Sequence, residues 1–259
     1  MVFAVLGLGE AGGEIARDLL AVGATVRAYD PLLGAPGGVG MPDGAIACED
    51  EADAARGTDL VLSVNSAATA AEALRAGLAG PGPATLWADL NTAAPALERS
   101  LAIEAERAGW SFADVSLMAP VPGRGVRTPM LVSGTGATRF AELMAPFGGS
   151  IEVLGLEAGE ASQRKLLRSV FFKGIAAAVT EALAGARTVG LEDWMRELIA
   201  GEFEAADGAF ARRLEEGSIQ HAVRRTEEMA AASELLIELG VPPRVAAASR
   251  DWLAELAER

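Results

Sequence analysis

Close to its start the chain passes from a wholly apolar run, Val2-Phe3-Ala4-Val5-Leu6, into Gly7-Leu8-Gly9-Glu10-Ala11-Gly12. A helical pattern follows at once over Ala11 to Val22, with Ile15, Leu19 and Leu20 on one face. Buried strand, glycine turn, helix: this is the first half of a βαβ unit. In that setting the first glycine permits the tight turn, the second lets the backbone approach a pyrophosphate, and the third lets helix and strand pack closely. The helix N-terminus adds unpaired N–H groups and a partial positive charge. The expectation is a dinucleotide whose phosphates lie over Gly7, Leu8, Gly9, Glu10, Ala11 and Gly12; the bland alternative is a plain tight turn. Asp30 ends the second strand (Ala24 to Tyr29), 23 residues after Gly7. A carboxylate there accepts hydrogen bonds from both ribose hydroxyls of NAD and repels the extra phosphate of NADP. Pro31-Leu32-Leu33 offers no arginine to receive such a phosphate, so NAD is expected over NADP.

Strand-like runs continue at Leu60–Val64, Thr85–Leu90, Ser111–Val115, Met130–Ser133 and Ser150–Leu154. Helical stretches separate most of them, at Ala67–Leu78, Pro95–Ala108 and Thr138–Met144. This alternation predicts an α/β fold: a Rossmann-type parallel-sheet domain over residues 1–157. Near residue 157 the period changes to 3.6, with Leu166, Leu167, Val170, Phe171 and Ile175 on one helix. Further helices are expected at Glu192–Ala206, Phe210–Glu215, Ile219–Leu239 and Pro243–Leu256. Residues 158–259 thus read as an all-helical domain, for substrate and dimerisation, joined through a long interdomain helix. Its surplus of apolar faces predicts a homodimer.

A formal net charge of −14 argues against nucleic-acid binding, which needs a basic surface. One cysteine (Cys48) and one histidine (His221) leave no disulfide and no multi-thiolate or multi-histidine metal site, so no metal is expected. That cysteine usage fits a reducing cytoplasm. The apolar start is too short for a signal sequence or a membrane span. Lysine occurs only at Lys165 and Lys173, against arginine at every other of the 22 basic positions. An amine loses its proton at accessible pH when desolvated; a guanidinium does not. Two acid-free stretches hold Arg124, Arg127 and Arg139, and Arg164, Lys165, Arg168 and Lys173. They are expected either to meet as a cationic pocket for an anionic substrate or to be two solvated patches.

Four segments together resemble the 6-phosphogluconate and 3-hydroxyisobutyrate dehydrogenase superfamily, the β-hydroxyacid dehydrogenases, and more closely a branch with a short helical C-terminal half. They are Gly7–Gly12, Asp89-Leu90-Asn91-Thr92-Ala93-Ala94-Pro95, Asp114-Val115-Ser116-Leu117-Met118-Ala119-Pro120, and the helix with Lys165 and Ser169. The resemblance implies that Lys165 is the catalytic lysine and that Ser169 stands where the family has asparagine. Asn91 stands in place of the usual serine. Met118, Ala119 and Pro120 replace the Ser-Gly-Gly that cradles a substrate carboxylate, so that anchor is altered. Arg168-Ser169 and Lys173-Gly174 match the closer branch.

Hydride transfer to or from nicotinamide must be coupled to a proton moving on the substrate oxygen. Lys165 is the candidate for that proton, its acidity tuned by Arg164, Arg168, Lys173 and burial; the bland alternative is a lysine capping a surface ridge. Val64, Asn65, Ser66 and Asn91 are expected to border the nicotinamide end. Asn91, Met118, Ala119, Pro120, Arg124, Ser169 and Lys173 are the candidate substrate contacts, with Arg124 or Lys173 holding an anionic group. The expected activity is a dehydrogenase or reductase of a small hydroxy acid or carbonyl compound, with decarboxylation following if the substrate is a β-hydroxy acid with a free carboxylate. The alternatives are an imine reductase, whose members generally put another residue at the lysine position, and a non-catalytic nucleotide-binding protein. His221 with Arg224 and Arg225 is expected to face one way on a single helix, either toward a neighbouring subunit's site or as a solvated face.

Overall fold

A computed structural model describes residues 1–80 and 85–259. Two compact units emerge, Met1–Arg168 and Ser169–Arg259. In the first, eight strands form one sheet: β1 (Val2–Leu6), β2 (Thr25–Tyr29), β3 (Ile46–Ala47), β4 (Leu60–Ser63), β5 (Leu86–Asp89), β6 (Ser111–Leu117), β7 (Met130–Ser133) and β8 (Ile151–Gly155). Their order is β3-β2-β1-β4-β5-β6-β7-β8. Every pairing is parallel except β6 with β7. The alternating pattern predicts a Rossmann-type parallel sheet, as found, and the one antiparallel pairing, at β7, has a physical reason. A parallel crossover is usually carried by a helix, and the 118–129 link holds only a single 3-10 turn, Gly125–Arg127. The chain therefore returns antiparallel.

Helices cover both faces. Ile15, Ala16 and Leu19 of α1 (Glu10–Ala21) and Phe140 and Met144 of α5 (Ala137–Met144) pack with Phe3, Val5, Leu60 and Leu62. On the other face Ala54 and Ala55 of α2 (Glu51–Ala55), Leu74 of α3 (Ala70–Leu78) and Leu101, Ala102 and Ala105 of α4 (Pro95–Arg107) pack with Leu6, Val61, Trp87 and Phe112. The segment between β2 and β4, which carries no clear periodicity, forms β3 and α2; Asp50 caps α2 by accepting from the Asp53 N–H.

The long helix α6 (Glu160–Thr188) begins in the first unit and continues into the second. There α7 (Glu192–Glu204), α8 (Gly208–Gln220), α9 (Ala222–Glu238) and α10 (Arg244–Ala257) follow. Glu181 of α6 accepts from the N–H groups of Val245 and Ala246, both at 2.8 Å, and so caps α10. The helix at Phe210 runs on to Gln220, so His221 falls at the α8–α9 junction, outside the helix of Arg224 and Arg225. Arg224 pairs with Glu228 and Arg225 donates to the Ser218 hydroxyl.

By length and hydropathy α6 is the one helix among the described residues apolar enough to cross a membrane, and little of it is buried. Its first turn is bonded into the sheet domain, as described below, and its midsection carries Lys173 and Glu181.

Candidate active site

The three glycines of the first turn have three different surroundings. Gly7 has φ +93°, and a Cβ there would lie 2.6 Å from the Val64 carbonyl oxygen. A Cβ on Gly12 would collide with the Gly7 carbonyl oxygen. A Cβ on Gly9 would meet nothing. Gly9 is the N-cap of α1 and supplies no side-chain oxygen to its first turn, so the N–H groups there carry no side-chain cap, as an anion site requires.

That space continues into a cleft of about 580 Å3 lined by Gly7, Gly9, Asp30, Val64 and Asn65, with Tyr29, Pro31, Leu32, Val39, Glu51, Thr69 and Glu72 among its other walls. Asp30 accepts from the Leu8 N–H (2.7 Å) through one oxygen and from the Leu32 N–H (2.7 Å) through the other. A carboxylate has about four acceptor positions, so two remain for ribose hydroxyls. Asp30, Glu51 and Glu72 make this end negative, and among the described residues no basic one lines the cleft. The Tyr29 phenol registers the same field: burial first, then Glu51, Asp50 and Asp30, raise it above its ordinary value.

Of the other expected cofactor contacts, Leu8 is buried with its N–H committed to Asp30. Glu10 is exposed and Ala11 half-buried. Ser66 is exposed and shares a 2.9 Å hydrogen bond with the Thr69 hydroxyl. Asn91 is buried. Its amide donates to the Ser63 hydroxyl (3.3 Å) and the Asn65 side-chain oxygen (3.4 Å), and Ser63 donates to that same oxygen at 2.8 Å. Asn91 therefore reaches the cleft wall through Asn65.

Beside this network the strand register aligns four polar residues: Ser63 opposite Asp89, Asp89 opposite Asp114, Asp114 opposite Ser133. All four are fully buried. One oxygen of Asp114 accepts from the Gly159 N–H (2.9 Å), the Ser162 N–H (3.1 Å) and the Ser133 hydroxyl (3.1 Å), and Ser133 in turn accepts from the Ala161 N–H. These bonds hold the first turn of α6, and Lys165 lies one turn on. Gly159 makes the approach of α6 to α4 close: a Cβ there would stand 2.9 Å from both the Pro95 carbonyl oxygen and the Arg99 guanidinium. Burial pushes Asp89 up to about 7, with Asp114 adding to it and hydrogen bonds from Asn91 opposing it. Burial likewise raises Asp114, against its hydrogen bonds from Ser162, Gly159 and Ser133.

A third carboxyl, Glu98, stands on α4 with no exposed surface and no hydrogen-bond partner for either oxygen. Burial, then Asp89 and Asp114, push it up to about 10, and the Lys165 ammonium pulls the other way. Lys165, itself half-buried, thus lies within electrostatic reach of a buried acidic cluster at the carboxyl ends of β4 and β5 and the middle of β6. The sequence reading includes Lys165 and Asn91 and overlooks Glu98.

The remaining substrate candidates differ in exposure. Met118 and Ala119 are half-buried; Pro120 and Arg124 are exposed, and the Arg124 guanidinium donates to the Pro120 carbonyl. Their loop is bound to α1, where Glu14 accepts from the Gly123 N–H and Asp18 from the Val126 N–H. Arg164 lies 3.9 Å from Glu160. Ser169 and Lys173 follow Lys165 at four-residue intervals on α6; Ser169 is half-buried and Lys173 exposed. Within the first unit Arg124, Arg127 and Arg139 are all exposed.

Comparison with known proteins bears on this geometry. A family model described as the NAD-binding domain of 6-phosphogluconate dehydrogenase matches residues 2–142, and a domain of unknown function, DUF1932, matches residues 186–256. An NAD-dependent L-serine dehydrogenase of Pseudomonas aeruginosa is 30% identical over 155 residues, 58% of this chain and 47% of that protein. The chain thus aligns with about half the length of that relative. The structure of a conserved hypothetical protein from Sinorhizobium meliloti is 27% identical with a TM-score of 0.64, over 98% of this chain and 87% of that one. An imine reductase from Myxococcus stipitatus in complex with NADP+ shares the fold at a TM-score of 0.81 and 20% identity, over 100% of this chain and 94% of that one. A variant of that enzyme has been solved with NAD+.

Proposed function

We propose, from the premise that the chain belongs to the family of the NAD-binding domain of 6-phosphogluconate dehydrogenase, that this oxidoreductase acts on the CH–OH group of a small anionic hydroxy acid, or on the matching carbonyl, with NAD as cofactor and Lys165 as general acid–base. The observation that carries the reading is the open space at Gly9, between the tight contacts of Gly7 and Gly12, at the mouth of a cleft whose charged walls are all acidic. Bound nicotinamide would supply or accept the hydride. Gly9 and the first turn of α1 would hold the pyrophosphate, and Asp30 the adenosine ribose. Asn65 and Asn91 would border the nicotinamide end. Lys165 would give a proton to the substrate oxygen during reduction and remove it during oxidation. Residues 1–157 would form the cofactor domain and 158–259 the substrate and dimerisation domain.

The test is a panel of keto acids, aldehydes and cyclic imines offered to the purified protein with NADH or NADPH. Consumption with a keto acid or aldehyde is expected, with kcat/KM at least about tenfold higher for NADH. Equal use of the two cofactors contradicts the role of Asp30. Turnover of imines alone transfers the chain to the imine-reductase reading, and binding without turnover to that of a nucleotide-binding protein.

We also propose that a second copy covers the apolar face of α6, where Leu167, Val170, Phe171 and Phe172 are all more than half exposed. So large an apolar surface is characteristic of an interface. Light scattering is expected to give twice the chain mass at micromolar concentration; a monomer there removes the proposal.

A further inference from the structure

Helix α6 begins without a local side chain to cap it. The Gln163 N–H donates to the Gly159 carbonyl at 3.0 Å, so Gly159 is the N-cap. Its φ of +100° and the close approach of Pro95 and Arg99 exclude the serine, threonine or aspartate that ordinarily stands there. The N–H groups at a helix start lack partners within the helix; here they belong to Gly159, Glu160, Ala161 and Ser162. Two side chains of the sheet take up three of them. Gly159 and Ser162 donate to Asp114 at 2.9 and 3.1 Å, and Ala161 donates to Ser133 at 3.1 Å. The Ser133 hydroxyl donates in turn to the same Asp114 oxygen. Asp114 and Ser133 stand opposite each other across the antiparallel β6–β7 pair, and the pairing of β7 with β8 shifts register at Ser133. Such an irregularity re-aims a side chain. Neither residue has any exposed surface, and Ser162 has almost none.

We propose that Asp114 and Ser133 are positioning residues that act through Lys165: the sheet caps α6, and this cap fixes where the amine stands. The proposal rests on the reading of Lys165 as the general acid–base. Lys165 follows Ser162 by three residues, about 4.5 Å along the helix axis. It lies in the same compact unit, which ends at Arg168, and no break separates it from the cap, since Glu160–Thr188 is one helix. Gly7, Val64 and Asn65, on the wall of the cofactor cleft, directly follow β1 and β4 of the same sheet. One frame therefore carries both the amine and the proposed seat of the nicotinamide. Misplacing a reacting group by about 1 Å costs on the order of a hundredfold in rate. Satisfying the helix end alone requires an acceptor; two buried acceptors on adjacent strands also set the height and rotation of the first turn.

Ser133→Ala tests the cap without removing a charge. Its loosening is read as hydrogen exchange of the Ala161 amide, expected to quicken about tenfold or more. The amine is read in 13C-lysine-labelled protein, whose two lysines give two Cε signals, assigned with Lys173→Arg. In Ser133→Ala the Lys165 signal is expected to move toward that of the exposed Lys173, which itself stays in place. Asp114→Asn is expected to act in the same sense, quickening exchange at Gly159 and Ser162; should it fail to fold, Ser133→Ala carries the test. With a substrate from the panel, Ser133→Ala is expected to lower kcat about tenfold while KM for NADH stays within about twofold. In a Lys165→Met background the same change is expected to cost less than about a further twofold, because the group it positions is gone. Three results overturn the proposal, whatever Lys165 does to substrate: exchange at Ala161 as slow as in the wild type, a Lys165 signal that stays put while exchange quickens, or kinetic losses that multiply. Unaltered turnover in Lys165→Met overturns the functional reading, whether or not the cap holds the amine.

Discussion

Replacing Lys165 by methionine is expected to lower turnover of the substrate found in the panel at least about a hundredfold while leaving NADH affinity within about twofold of wild type. Methionine keeps the length and apolar stem of the side chain and removes only the exchangeable proton and its charge. The expected loss is that of a general acid–base, about 10²–10⁴ in rate. The cleft proposed for NADH lies around Gly7, Gly9 and Asp30, and Lys165 is not among its described walls, so binding and chemistry are expected to separate in this variant. The first turn of α6 is held by Asp114 and Ser133 through backbone N–H groups of Gly159, Ala161 and Ser162, none of which involves the lysine. Stopped-flow reduction of cofactor with a saturating partner substrate measures the chemical step directly. A methionine variant turning over near the wild-type rate leaves the proton without a carrier and ends the assignment.

The second large effect separates two glycines of one motif. Gly9→Asp is expected to leave the thermal midpoint unchanged or slightly higher. The position has ordinary backbone angles, φ −60° and ψ −163°, its Cβ would meet nothing, and aspartate is a favourable N-cap that also complements the helix dipole. The same side chain puts a negative charge where the pyrophosphate would lie, and NADH affinity is expected to fall about a hundredfold or more. Gly12→Ala behaves in the opposite way. Its methyl group collides with the Gly7 carbonyl oxygen, helix and turn must part, and a stability loss of about 2–4 kcal/mol is expected. Denaturation followed by circular dichroism, with NADH titration of the folded fraction, reads both. Tight NADH binding by Gly9→Asp is incompatible with a phosphate seat at this turn.

The parts of the fold legible in the sequence are those set by local pattern. A buried parallel strand must be an apolar run and its turn must be glycine, so β1 and α1 could be read within a residue or two, and the antiparallel return at β7 could not. That reversal depends on the absence of a helix in the 118–129 link rather than on any signal within Met130–Ser133. The cleft was half legible. Gly7, Gly9, Asp30, Val64 and Asn65 are on its wall as expected, but Glu51 and Glu72 come from elements with polar faces that look like ordinary solvated helix. The acidic cluster was the least legible. Asp89 and Asp114 were noticed only as parts of motifs, because their alignment is a matter of strand register, which sequence does not print. Glu98 did leave a trace: its spacing of three, four and seven from Leu101, Ala102 and Ala105 puts an acid in line with an apolar stripe. His221 misled for the opposite reason. Helical periodicity runs through it, and only the end of α8 at Gln220 shows the chain breaking there.

The most direct test is a crystal structure of the chain grown with NAD+. The pyrophosphate should lie against Gly9 and the first turn of α1, with Lys165 Nζ within about 6 Å of the nicotinamide C4, leaving room for one substrate carbon and its oxygen between them. A cofactor bound elsewhere, or an amine directed away from the nicotinamide into bulk water, would contradict the assignment of this site.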